Sequence, residues 1–362
     1  MNNTEKLDLT KIVIVQFDKD KLEQDFWEKY HRFNEKCHSE LYPEDSLPSR
    51  KVIEVSMIRG WTGYHTLRYF VYKDSMKKEI IATSIIGLNR EDSPGYENNK
   101  HNSYFYIIVD SGYRRKGLGS KLFKLIVEKA KENGCKFTET DTYYDSGRKF
   151  CEKLGGKLIN ENSENRVLLE EINWDLINKW KSEGKKKASM VILENFIIVP
   201  ERDIVEICEL ETILESQMPT LDREDGKWID VYTPEKKREL ERNRKEQGYI
   251  NYTIISREYN GTISGMTEIR YSGNDRPERI NQGLTGVLEE YRGRGLGKWL
   301  KAEMLIYIEN HIPDARFIVT GNADHNAPMV SINERLGFKP YYNESSFKFR
   351  LTTVIKRINK MT

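Results

Sequence analysis

Leu296, Leu300, Met304 and Ile308 recur every fourth residue, the apolar stripe of a helix that buries one face. Leu118, Leu122, Ile126 and Ala130 repeat the pattern earlier in the chain. A short apolar run stands before each stripe, 106–109 before the first and 283–288 before the second, and each predicts a strand. Another strand is expected after each helix, over 136–142 and 316–320. The flanking pattern is also duplicated. A first strand over 11–17, a helix over 22–37 and a helix ending at Arg59 precede two hairpin arms, 65–72 and 79–88. Later, a strand over 191–199, a helix over 203–217 and a charged helix opened by Thr233 and Pro234 precede the arms 249–258 and 262–271, which turn at Asn260 and Gly261. The run 166–172 reads as the closing strand of the first half and 173–182 as a helix. The polar stretch 181–189, with Gly184 and three lysines, breaks the periodicity and reads as a linker.

Between strand and helix each half carries a basic, glycine-rich turn. One is Arg114, Arg115, Lys116, Gly117, Leu118, Gly119 and Ser120; the other is Arg292, Gly293, Arg294, Gly295, Leu296, Gly297 and Lys298. Glycines let the backbone approach a phosphate closely, and the following helix N-terminus presents free N–H groups and a partial positive charge. Neither turn has the spacing of a nucleotide-triphosphate loop, and neither has the third glycine of a dinucleotide fingerprint. The shared form is Arg-x-x-Gly-x-Gly. Gly117 and Gly295 lie 178 positions apart; Gly155 and Gly337, which end the Leu-Gly segments downstream, lie 182 apart. The nearly constant offset marks an internal repeat.

On these motifs each half resembles the GNAT superfamily of N-acetyltransferases, and the chain has the tandem two-domain plan seen in mycothiol synthase. The resemblance implies an α/β (α+β) fold in each half: a mixed, mostly antiparallel sheet, splayed at the cofactor site and flanked by helices. The expected layout is an N-terminal domain over 1–180, a linker over 181–189 and a C-terminal domain over 190–362. Acetyl-CoA is the implied cofactor, with its pyrophosphate on the two turns. Backbone at Thr285, Gly286 and Val287, or at Ile108 and Val109 in the first half, would meet the thioester oxygen. Asn322 and Asn326 are expected along the pantetheine arm. Asn333 stands where the family often has a tyrosine acid, and Cys151 has that place in the first half. Neither residue is a ready proton donor.

Composition narrows the partner. Lys and Arg number 59, Asp and Glu 57, for a formal charge of +2, so neither nucleic acid nor an anionic membrane is favoured. Charged residues make up 32% and mean hydropathy is −0.71; with no apolar run long enough to span a bilayer, a cytoplasmic protein is expected, as monomer or homodimer. The four cysteines show no metal-binding spacing, and no metal is expected.

Acyl transfer to an amine requires that the ammonium lose a proton, that the carbonyl oxygen be stabilised and that the thiolate depart. Glu268, on the second hairpin arm beside the expected splay, is the candidate general base; the loose alignment of the halves sets Ile85 opposite it, so the first domain lacks this carboxylate. The expected activity is N-acetylation of a small primary amine by direct attack, centred on the second domain. A protein amine as acceptor and a non-catalytic acyl-CoA-binding role stand as alternatives.

Overall fold

The computed structural model describes residues 7–217, 230–323 and 327–361. In chain order its elements are β1 (Val13–Gln16), α1 (Phe26–Leu41), α2 (Arg50–Arg59), β2 (Tyr64–Tyr72), β3 (Ile80–Asn89), α3 (Tyr96–Asn99), β4 (Asn102–Val109), α4 (Leu118–Glu132), β5 (Phe137–Thr142), α5 (Asp145–Leu154) and β6 (Lys157–Leu168). There follow α6 (Trp174–Lys187), β7 (Ile192–Phe196), α7 (Ile204–Ser216), α8 (Pro234–Glu246), β8 (Ile250–Arg257), β9 (Ile263–Tyr271), β10 (Arg279–Val287), α9 (Leu296–His311), β11 (Phe317–Ala323), α10 (Ala327–Arg335), β12 (Lys339–Arg350) and α11 (Leu351–Met361).

The chain forms two compact units, Met1–Ile159 with Ser345–Thr362, and Asn160–Glu344. In unit 1, β1 to β4 form an antiparallel meander, β4 and β5 pair in parallel, and β5 pairs antiparallel with the end of β12. The α4 stripe lies against this sheet: Leu118, Leu122, Ile126 and Ala130 are each at most 1% exposed. Its core takes in Phe347, Phe349, Leu351 and Val354 from the distant C-terminal segment. In unit 2, β7 to β10 form the meander, β10 and β11 pair in parallel, and β11 pairs antiparallel with β6. Leu300, Met304 and Ile308 of α9 meet Ile269, Ile280 and Ile318 of the sheet. Both units thus have a mixed, mostly antiparallel sheet flanked by helices.

Two expectations about the middle of the chain do not hold. The strand expected to close the first half, 166–172, is the end of β6; it pairs with β11 of unit 2 and gives way to a 3-10 turn at Leu169–Glu171. The expected linker is helical as far as Lys187, inside unit 2. Gly184 is there for packing: a Cβ on it would lie 2.4 Å from Cβ of Trp299, so the glycine lets α6 and α9 touch backbone to side chain.

In each unit the parallel pairing is brief. β4 pairs with β5 only over Asn102 to Tyr104, opposite Phe137 to Glu139, and β10 with β11 only over Arg279 to Asn281, opposite Phe317 to Val319. Beyond those residues the strands run on and part. A gap thus opens beside each glycine-rich turn.

Candidate functional site

The turn of unit 2 is built by backbone strain that only glycine relieves. A 3-10 turn at Glu289–Tyr291 ends β10, Arg292 is extended, and Gly293 and Gly295 take φ of +79° and +82°. A Cβ on Gly293 would meet nothing within 4 Å, and one on Gly295 only Cδ of Lys187 at 3.9 Å. α9 begins directly at Leu296, and no side chain among the described residues caps its first N–H groups. These open onto a cavity of about 360 Å³ walled by Trp180, Lys187, Val287, Tyr291, Arg292 and Lys298. Uncapped N–H groups, three cations and room for a bulky anion occupy one place.

Arg292 is the turn's anchor. Its Nε donates to the carbonyl of Val287 at 2.9 Å and its guanidinium also bonds the neutral side chain of Gln217. Arg294 is committed elsewhere, to the Glu258 carboxylate at 3.0–3.1 Å, and is not turned to the cavity. Asn333 of α10, next in sequence to the cavity-lining Ile332, is 3% exposed, and neither its amide nitrogen nor its amide oxygen has a hydrogen-bond partner among the described residues. A buried amide left so costs stability unless something absent from the chain satisfies it. The glycine cradle, the uncapped helix and this orphaned amide together fit the pyrophosphate and amide-bearing arm of an acyl-CoA.

Around the gap, Gln282 pairs with Ile269 and Thr285 with Thr267, so Gly283 and Leu284 together oppose Glu268: a β-bulge. Thr285, Gly286 and Val287 stay in ladder with β9 on one side while β11 has parted from the other. Thr267 and Thr285 hydroxyls meet at 2.8 Å, and Gln282 Nε2 donates to the Glu268 carbonyl at 2.7 Å. The Glu268 carboxylate lies over Gly283, where a Cβ would come within 2.7 Å of Oε1, and it accepts from Asn251 at 3.2 Å. α7 packs against the same strand, with Leu214 filling the space over Gly286.

That packing brings in a carboxylate that periodicity did not single out. Glu215 follows Leu214; burial, then Asp230, Glu268 and Glu211, push its carboxyl up to about 7. Asp230 is paired with Lys236 and Glu211 with Lys237, whereas Glu215 and Glu268 make no ion pair among the described residues. Only the three-dimensional approach of α7 to β9 reveals this. Asn322 sits on β11 opposite Ser163, and Asn326 lies outside the described residues.

Unit 1 repeats the turn with differences. Arg114 Nε donates to Val109, matching Arg292 and Val287, yet its guanidinium is neutralised by Glu40 and lies 4.7 Å from the Tyr144 ring centroid. Arg115 takes φ of +60°, and Leu9 covers Gly117, where a Cβ would come within 2.9 Å. Lys116, Gly119 and Ser120 complete a formed but covered turn. β4 has no bulge opposite β3, and Ile85 pairs with Tyr106 at the place Glu268 has in unit 2. Ile108 is 41% exposed beside the gap.

A profile of the acetyltransferase (GNAT) family matches residues 21–155 and 210–338. Among solved structures, a tandem GNAT protein from the clavulanic acid biosynthesis pathway superposes with TM-score 0.70 at 18% identity, covering 94% of this chain and 99% of that one. A GCN5-related N-acetyltransferase from Sphaerobacter thermophilus gives 0.62 at 15% identity, covering 94% and 96%. N-myristoyltransferase of Saccharomyces cerevisiae with bound myristoyl-CoA gives 0.55 at 12%, covering 94% and 79%. These likenesses show the fold. No curated protein matches the chain. No helix among the described residues is long and apolar enough to cross a membrane. With the profile matched twice over more than half of its length, the chain belongs to the acetyltransferase (GNAT) family, whose fold it carries in tandem.

Proposed function

We propose that the protein is an acetyl-CoA-dependent N-acetyltransferase that works in unit 2 on a small cationic amine. The observation that carries this reading is the open glycine turn at the uncapped start of α9, which follows β10, the strand whose bulge faces Glu268 and against which α7, bearing Glu215, packs. Bound acetyl-CoA supplies an activated acyl carbon. Lys187, Arg292 and Lys298 hold its phosphates with the first N–H groups of α9, and Asn333 gives its amide a buried partner. The acceptor arrives as an ammonium drawn by the Glu215 and Glu268 carboxylates, neither of which makes an ion pair among the described residues. A free alkylamine has a pKa of about 10.4 and is almost wholly protonated near neutrality. Glu215, poised near neutrality, or Glu268, beside the bulge, takes that proton; the amine nitrogen then forms the C–N bond as the C–S bond breaks, and the sulfur leaves as thiolate.

The test is release of CoA thiol across a panel of small amines and of basic peptides. Turnover on a small amine, lost in Gly295→Val, supports the reading. Turnover confined to peptides would transfer it to a protein amine, and acyl-CoA binding without thiol release would make the protein a binding module.

For unit 1 we infer a non-catalytic role. Its anchoring arginine is neutralised by Glu40, Leu9 covers its turn, and no carboxylate stands at Ile85.

A further inference from the structure

We propose that the face of the unit 1 sheet beneath α1 is a binding site for a small organic carboxylate, with Arg68 of β2 as its counterion and Tyr30 and Asn34 of α1 as hydrogen-bond donors. The first observation is a charge without a partner. Arg68 is partly buried, and its side chain makes no hydrogen bond or ion pair among the described residues. Its Nε is closed off from solvent with nothing to donate to, while the residue as a whole remains partly open. The one titratable group among the described residues that acts on its charge is the Tyr30 hydroxyl. Glu54 of α2 is engaged by His31 at 2.7 Å. A guanidinium does not give up its proton in a protein, so Arg68 stays charged and its burial is uncompensated.

The second observation is the pair of donors above it. The Tyr30 ring lies over Phe70, centroids 5.6 Å apart at 77°, and Phe70 is two residues on from Arg68, on the same face of β2. Burial holds the Tyr30 hydroxyl above the usual phenol range against the pull of Arg68, so it remains a donor, and it has no hydrogen-bond partner among the described residues. Asn34, one helical turn further along the same face of α1, is also partly buried and without a side-chain hydrogen bond among the described residues.

The third observation is the contrast with unit 2. Arg114 and Arg292 anchor their turns alike, and their guanidinium groups bond Glu40 at the end of α1 and Gln217 at the end of α7. Counted back from those two partners, Glu215 and Glu211 of α7 correspond to His38 and Asn34 of α1. On the strands, Thr253 pairs with Glu268 as Arg68 pairs with Ile85. None of the three carboxylates of unit 2 has an acidic counterpart in unit 1, and a fixed cation stands where unit 2 has a threonine. The sign of this face is inverted between the two units.

The chemistry selects a carboxylate. An ammonium would meet Arg68, and a neutral ligand would leave its charge unbalanced. A planar carboxylate matches the guanidinium fork with two parallel hydrogen bonds. One negative charge balances one cation, whereas the unit 2 turn gathers Lys187, Arg292 and Lys298 for a phosphate. Phe70 and Ile85, 2% and 7% exposed, offer the ligand's body an apolar floor. The site is also apart from the gap beside the glycine-rich turn, because β3 lies between β2 and β4.

The experiment is calorimetric titration of the full chain with benzoate, using benzamide and benzylammonium as neutral and cationic isosteres. Benzoate is expected to bind and the other two not to. Arg68→Gln should weaken binding about tenfold or more, the scale of a hydrogen bond to a charged group, and Tyr30→Phe about threefold, the scale of a neutral one. Saturating benzoate should raise the melting temperature of the wild type and leave that of Arg68→Gln unmoved. Saturating acetyl-CoA should not displace benzoate, which separates this site from the cations of the unit 2 turn. Far-ultraviolet dichroism confirms that each variant is folded; Tyr30→Phe, which keeps the ring, carries the test if Arg68→Gln does not fold. The proposal is overturned if benzoate does not bind, if benzamide or benzylammonium binds equally, if acetyl-CoA displaces benzoate, or if the folded variants bind it like the wild type.

Discussion

Gly295 turns the chain into α9 at φ +82°, a conformation that costs a β-branched residue about 1–2 kcal/mol and would aim its side chain at the phosphates. Gly295→Val is therefore expected to lose acetyl-CoA affinity in calorimetry while remaining folded; unchanged affinity would remove the turn from the site. Glu268→Gln should lower kcat/KM by about 10²-fold or more if Glu268 is the base, with acetyl-CoA affinity nearly unchanged. Glu215 offers a second signature. Because its carboxyl is pushed up to about 7, the rate should rise with pH through that region, and Glu215→Gln should erase the inflection. The linked stability has the opposite sign. A carboxyl raised on folding stabilises the fold fully below its ordinary value of 4.5, and that contribution is lost as pH rises through about 7. Glu215→Gln should therefore raise the melting temperature at about pH 8, by the equivalent of at most about 3 kcal/mol, and change it little at about pH 4. Asn333→Leu should also raise it, because two unmet buried amide groups disappear, at the cost of cofactor affinity.

At the scale of elements, the two turns and their helices were legible because their signals are local: a four-residue apolar period, a strand before it, glycines between. Counting along a hairpin arm is enough to single out Glu268 as a candidate. Glu215 was not, because its significance comes from α7 lying against β10 through Leu214 and Gly286, which no local pattern records. α6 was cut short for the opposite reason. Gly184 and the lysines read locally as a break, yet the glycine is a contact with Trp299, and lysines in a last turn suit the helix dipole. Gly184→Val is thus expected to overpack that contact, costing about 1–3 kcal/mol in thermal unfolding, and to weaken acetyl-CoA binding by displacing Trp180 and Lys187. The two turns, alike in lettering, should behave differently. Calorimetry should find about one tight acetyl-CoA per chain, and Gly117→Val should spare turnover that Gly295→Val abolishes; the reverse would make unit 1 the active one.

For the molecule as a whole, the least legible feature was which sheet each terminal strand joins. The repeat implied two consecutive domains, but β6 completes unit 2 and the end of β12, with α11, completes unit 1. Period and spacing identify a strand without naming its neighbour. The physical stake is visible in the core, where Phe347, Phe349, Leu351 and Val354 are at most 2% exposed among the unit 1 side chains. Cutting the chain after Glu344 should therefore leave unit 1 without a closed core, read as lost dispersion of its amide resonances, while full-length protein unfolds cooperatively. The arrangement also sets a schedule for synthesis. Residues up to Ile159 leave the ribosome while 185 more, 160–344, are still to be made before the segment that closes their core begins. At typical elongation rates that is a wait of roughly ten to forty seconds. Throughout it the nascent first unit holds an unpaired edge at β5 and apolar side chains without partners, so it is during translation, more than in the finished protein, that this chain has most need of a chaperone.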